Sequence, residues 1–159
     1  MITHSIPPVF DERSKILILG SFPSVKSREQ AFFYGHPQNR FWKVLSTVLN
    51  KKLPVTIAEK REFLLENEIA VWDVIGKCEI QGSSDASIRN VKPNDLGIIL
   101  NSAKIERIFV NGSTADKYYR KYIEKRLGIK AICLPSTSPA NATFTLDRLV
   151  EAWSVIIDK

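Results

Sequence analysis

The chain is poor in cysteine and histidine and carries no long apolar run. Two cysteines, Cys78 and Cys133, and two histidines, His4 and His36, occur in 159 residues. Two cysteines exclude a disulfide framework and a four-cysteine metal cluster. Each is expected to be a small buried hydrophobe in a reducing compartment. The histidines are far apart in sequence and no cysteine pair accompanies them, so neither a metal nor a cofactor is expected. No apolar stretch reaches the ~20 residues that span a bilayer. The start, Met1-Ile2-Thr3-His4-Ser5, has neither a basic lead nor an apolar signal core. These features imply a cytoplasmic protein with no membrane role, expected to be a monomer. There is no internal repeat and no low-complexity tract. No Gly-rich phosphate loop follows the first apolar run, which disfavours a flavodoxin-like nucleotide-binding domain.

What is present suits one domain over residues 1–159. The hydrophobic fraction is 44%, enough for a single core. The net charge is +6, which points toward nucleic acid without deciding it. The densest basic stretch is Lys117, Arg120, Lys121, Lys125, Arg126 and Lys130. A solvated helix face and a set of phosphate contacts both account for it.

Apolar runs alternate with helical patterns. Strands are predicted at 15–19, 69–72, 105–110 and 130–134, each ending in a polar group: Ser21, Asp73, Asn111 and Ser136. Helices are predicted from Asn39, over 56–67, 94–102, 114–127 and 145–157. Thr56 with Glu59 forms a capping-box pattern. Residues 20–37 and 76–93 are expected to be loops. Alternation of this kind implies parallel βαβ units. The expected fold is α/β, three layers α/β/α around a central, mainly parallel four-stranded sheet. The strand ends would then converge on one edge, where such sheets bind ligands.

Three pieces stand out. They are Gly20-Ser21-Phe22-Pro23-Ser24, Tyr34-Gly35-His36-Pro37-Gln38-Asn39-Arg40-Phe41-Trp42, and Leu134-Pro135-Ser136-Thr137-Ser138-Pro139-Ala140-Asn141. On these pieces, and on Leu146 to Trp153, the chain resembles the uracil-DNA glycosylase superfamily. The resemblance spans 15–157 and is greatest toward the hypoxanthine-DNA glycosylase branch. One position departs from most branches: Phe22 stands where they place an Asp or Asn that activates water. In the hypoxanthine branch that task falls to the Asn of the second piece, which is Asn39 here.

The resemblance implies a monofunctional DNA repair glycosylase that hydrolyses the N-glycosidic bond of deaminated bases in DNA: hypoxanthine, with uracil or xanthine as further substrates. Such a reaction needs a placed water, a stabilised leaving base and a flipped nucleotide. Asn39 is the expected catalytic residue, positioning water; its plain alternative is a helix N-cap. Tyr34 is expected to stack on the base, or to be a core aromatic. His36 is expected to bond base or phosphate, or to be a structural histidine. Backbone groups of Ser21 and Phe22 are expected to meet a base carbonyl. Asp73 is expected to accept the N1–H of hypoxanthine, or to form a turn. Ser136 and Ser138 are expected at phosphates, Asn141 near the vacated base or as a helix cap, and Arg89 at a phosphate. Arg40 is expected to form an ion pair, and Asn111 is a further candidate. A non-catalytic module binding damaged DNA or a nucleotide on the same fold is the alternative function, since Phe22 cannot activate water.

Overall fold

The computed structural model describes residues 1–158. In chain order the elements are β1 (Ile2–Thr3), β2 (Ile16–Gly20), α1 (Val25–Gln30), α2 (Phe41–Leu49), α3 (Ile57–Glu66), β3 (Ile69–Asp73) and β4 (Ile75–Glu79). They continue with β5 (Arg89–Pro93), α4 (Gly97–Leu100), β6 (Arg107–Asn111), α5 (Ser113–Tyr122), α6 (Glu124–Leu127), β7 (Ala131–Leu134) and α7 (Leu146–Trp153). Short 3₁₀ turns lie at Asp85–Ser87 and Ser154–Ile157.

The main sheet has the order β3-β2-β6-β7, and every pairing is parallel. β2 and β3 are buried along their whole length. That is why they read as continuous apolar runs rather than alternating ones. The helices flank this sheet. α3 packs on β3, α5 on β6 and β7, and α2 against α7. This is the expected four-stranded parallel α/β arrangement. After β3 the chain crosses over β2 to reach β6, so strand order reverses between β2 and β6. A crevice opens outside the carboxyl ends of strands at such a reversal.

A second sheet, β1-β4-β5, is antiparallel and was expected as loop over 76–93. Its strands are largely polar and half exposed. β4 leaves directly from the end of β3, so its pairing with β1 brings the N-terminal residues to the same edge as Asp73.

Other expectations need correction. The loop over 20–37 contains α1, whose N-cap Ser24 accepts from the Ser27 N–H. The predicted helix at 114–127 is broken at Ile123, and that at 94–102 shortens to α4. Cys78 is buried, but Cys133 is exposed because β7 is the edge strand of the main sheet. The capping box of α3 forms as expected, with Thr56 Oγ1 accepting from Glu59 N at 3.1 Å.

Candidate active site

The four strand ends and their loops enclose a cavity of about 350 Å³. Its lining includes Ser21, Phe22, Tyr34, His36, Asn39, Asp73, Asn111, Ser136 and Ser138 from the expected set, together with Asp85 and Thr137. The volume lies in the range of small-molecule sites.

The floor is built around Asp73, which is 3% exposed. His4 Nε2 is 2.7 Å from its Oδ2. His4 Nδ1 accepts the Ile6 N–H at 3.2 Å, so the ring hydrogen sits on Nε2 and is donated to Asp73. Phe22, Phe33 and Trp72 surround the imidazole, with ring centroids 5.9 to 6.2 Å away. The other carboxylate oxygen rests against Gly20, the parallel neighbour of Asp73. A Cβ at Gly20 would lie 2.4 Å from Asp73 Oδ1 and 3.1 Å from Tyr34 Oη. Only glycine therefore lets the carboxylate and the phenol crowd the same point.

Tyr34 has φ +52°, an uncommon conformation for a residue with a Cβ. The next residue is pinned: the Gly35 N–H donates to buried Ser27 Oγ at 3.0 Å. One face of the Tyr34 ring is stacked on Phe41, with centroids 3.8 Å apart. Its hydroxyl is buried with no hydrogen-bond partner among the described residues. Burial, then the Asp73 charge, hold the phenol far above its ordinary range. Asn111 lies near enough to lower it somewhat without meeting hydrogen-bond geometry.

Asn39 lies two residues before α2, not within it. Its Oδ1 accepts from Phe41 N at 3.0 Å and from Thr137 Oγ1 at 2.9 Å. Of the amide expected to position water, the oxygen is thus already engaged. Among the described residues Arg40 makes no ion pair. Its guanidinium donates to the carbonyls of Ser138 and Asn141, both at 3.1 Å, and of Phe144. Ser138 O and Asn141 O already accept the loop's own N–H groups of Asn141 and Phe144, and the guanidinium fork takes a second lone pair of each together with the Phe144 carbonyl. The third sequence piece is thereby fixed to the second.

The DNA-facing expectations divide. Ser136 and Ser138 line the cavity, and their hydroxyls cap the loop by accepting from Ser138 N and Ala140 N, both at 3.1 Å. Asn141 does not cap the last helix. Thr145 does, and Asn141 Nδ2 donates to Ser136 O at 3.0 Å. Asn141 lines an adjoining depression with Ser113, Thr114 and Phe144. Arg89 lies outside the cavity, on β5, in a separate shallow surface with Lys92, Lys121 and Tyr122. His36 lines the cavity and accepts the Gln38 N–H on Nδ1 at 3.1 Å, leaving Nε2 as its donor.

Reasoning from sequence missed His4, Thr137 and Asp85. Asp85 arrives from the 82–89 loop, and Ser21 Oγ donates to it at 3.2 Å. Partial loss of solvent raises its pKa, Ser21 and Thr114 hydrogen bonds oppose this, and Asp73 adds to it.

Fold and site together define a parallel α/β protein with a polar, aromatic-walled cavity at the strand-order reversal. The chain belongs to the uracil DNA glycosylase superfamily, whose family model matches residues 7–156. It is 34% identical over 158 residues to a hypoxanthine DNA glycosylase of Methanosarcina acetivorans, covering 98% of each chain. A hypoxanthine DNA glycosylase of Methanosarcina barkeri is 32% identical over 143 residues, 89% of each. A solution NMR structure of a candidate uracil DNA glycosylase from Methanosarcina acetivorans superposes with a TM-score of 0.83 at 32% identity. That alignment covers 98% of this chain and 96% of the other.

Proposed function

We propose that this chain is a monofunctional DNA glycosylase that removes hypoxanthine from DNA by hydrolysis, with uracil and xanthine as secondary substrates. The observation that carries the reading is that Asp73 Oδ1 and the unpartnered Tyr34 hydroxyl both crowd the same side of Gly20. A carboxylate oxygen and a phenolic hydroxyl meet one point of the cavity floor. The lactam edge of hypoxanthine offers an N–H beside a C=O, which matches an acceptor beside a donor. Adenine offers the reverse, a bare N1 beside an amino group, and would leave both protein groups mispaired. Uracil and xanthine carry the same lactam edge, which supports them as further substrates. The relatives named hypoxanthine DNA glycosylase support the same lesion.

In the reaction the water oxygen bonds to C1′ and the C1′–N9 bond breaks with its electron pair leaving on the base. Net, a hydroxyl ends on the sugar and a hydrogen on the base. The protein's part is to hold the flipped nucleotide and to stabilise charge that develops on the leaving base. His4 holds Asp73 in place, and Asp73 and Tyr34 grip the base edge. Ser136 and Ser138 flank the mouth, where hydroxyls position phosphates without reading sequence. The net charge of +6 supports DNA as the polyanionic partner. Among the described residues no helix is long and apolar enough to cross a membrane. A cytoplasmic location suits a DNA substrate.

The test is incubation with duplexes carrying inosine, uracil, xanthine or only normal bases, followed by alkaline cleavage of abasic sites. Breaks at inosine, and none at adenine, are expected. Binding of the inosine duplex without breaks would establish a binding module instead.

A further inference from the structure

We infer that Asn39 acts on the reaction as a hydrogen-bond donor, through Nδ2 toward the departing base, and that Thr137 and Asn111 are positioning residues that fix this polarity. The inference rests on the glycosylase reading above and deepens it. An isolated asparagine amide can flip, exchanging donor for acceptor. Here two backbone N–H groups remove that freedom, because a backbone N–H can only donate.

The first anchor is Phe41 N, 3.0 Å from the Asn39 amide; the atom facing it must be oxygen. The second is Thr137 N, 3.1 Å from the Asn111 amide, which must also present oxygen. Asn111 therefore turns Nδ2 toward Thr137 Oγ1, 3.0 Å away, and donates to it. The single hydroxyl hydrogen of Thr137 goes on to Asn39 Oδ1 at 2.9 Å. Thr137 is 0% exposed, so no water competes for its hydroxyl. The chain of donors runs one way, from the end of β6 to the start of α2.

Two consequences follow. Asn39 Oδ1 has accepted two hydrogen bonds, matching its two lone pairs, and has none left to take a proton from water. Its Nδ2 has no protein partner among the described residues, and Asn39 lines the cavity. A donor directed at the water oxygen would weaken the nucleophile. A donor directed at an acceptor of the leaving purine stabilises the negative charge that grows as the C1′–N9 bond breaks. This accounts for a site that works with Phe22 where a water-activating side chain would stand: the leaving group, not the water, receives the help.

Three variants test the inference: Asn39→Asp, Thr137→Val and Thr137→Ser, each assayed by single turnover on an inosine duplex and by binding to it. Asn39→Asp keeps the oxygen that Phe41 and Thr137 hold but puts an acceptor where the donor was. Its rate is expected to fall on the order of 100-fold, as when one preorganised donor is lost. A rate equal to or above native would overturn the inference, since a water-accepting role would be served at least as well by the carboxylate. Thr137→Val keeps the shape and loses the relay. Its single-turnover rate is expected to fall about 10-fold with duplex affinity little changed, and Thr137→Ser is expected to recover most of it. A folded Thr137→Val protein reacting at the native rate would overturn the positioning role. If the native protein left inosine untouched, the glycosylase reading would fail, and the polarity would be decided by NMR. The Asn39 Nδ2H₂ resonances, followed while free hypoxanthine is added, should move downfield; resonances that stay put while the base binds would overturn it. The same spectra decide the matter should Thr137→Val fail to fold.

Discussion

His4 Nε2 stands 2.7 Å from Asp73 Oδ2, with the two side chains 1% and 5% exposed. The N-terminal strand thus serves the floor of the cavity. Removing the imidazole would leave a buried carboxylate facing three aromatic rings and would open a void. His4→Ala is expected to destabilise the fold by about 3 kcal/mol. For a domain of this size each kcal/mol is worth roughly 2–4 °C in Tm. Thermal unfolding followed by circular dichroism checks this; an unchanged Tm would show that the pair does not matter to the fold.

The Tyr34 hydroxyl is buried and unpartnered, an arrangement that costs stability unless a ligand completes it. Tyr34→Phe is therefore expected to move stability and activity in opposite directions. Tm should stay level or rise by a few degrees, a gain of about 1 kcal/mol. Single-turnover activity on inosine should fall about 10-fold, the scale of one neutral hydrogen bond to the base. Paired melting and rate measurements decide it. A variant that loses stability while keeping its rate would show the hydroxyl to be structural.

The main sheet was legible because its strands are buried on both faces and so leave unbroken apolar runs, as in Ile16 to Leu19 and Ile69 to Trp72. The hairpin of β4 and β5 was not, because its residues are polar and only partly covered. α1 has six residues and no apolar stripe, so it reads as loop. Within the site, Asp73 and Ser136 were visible as polar ends of strands. His4 was not: it reaches Asp73 across 69 residues through the pairing of β1 with β4, which no local pattern announces. Thr137 sits inside a motif that was noticed, yet its importance lies in a bond direction set by Phe41 and Asn111. Arg40 was read as half of an ion pair because charge is visible in sequence, while loop carbonyls turned toward one guanidinium are not.

Asp73 is expected to carry the choice between hypoxanthine and adenine. Asp73→Asn exchanges one acceptor for a donor and sets two hydrogens, from His4 and from the new amide, against each other in one of the two flips. Discrimination between inosine and adenine duplexes should fall about 10-fold or more, with the rate on inosine also reduced. Single-turnover rates on both duplexes, native against variant, measure it. Unchanged selectivity would remove Asp73 from the base edge.

Asp85 sits exposed at the rim with its pKa raised, chiefly by desolvation and further by Asp73. A carboxyl with a raised native pKa binds more protons folded than unfolded. Stability from this group therefore falls as pH rises, starting near the ordinary Asp value of about 3.9 and continuing up to the raised native value. Asp85→Asn lacks that slope. The variant's Tm relative to native should improve as pH rises through that window, and the difference should be smallest in acid. The size is modest because the residue is exposed. Melting curves from acid to neutral pH test the sign; a relative Tm that worsens with rising pH would contradict it.

The chemistry at C1′ should end with water and not with a protein amine. A glycosylase that also cleaves the strand needs an amine to form a Schiff base with the opened sugar. Among the described residues no lysine lines the cavity, and its nitrogen-bearing side chains are His36, Asn39 and Asn111. A histidine ring and two amides are poor partners for that step. Incubation with an inosine duplex in the presence of borohydride should yield alkali-labile abasic product and no covalent protein–DNA adduct. A trapped adduct would place an amine at the sugar and replace hydrolysis by water with nucleophilic attack from the protein.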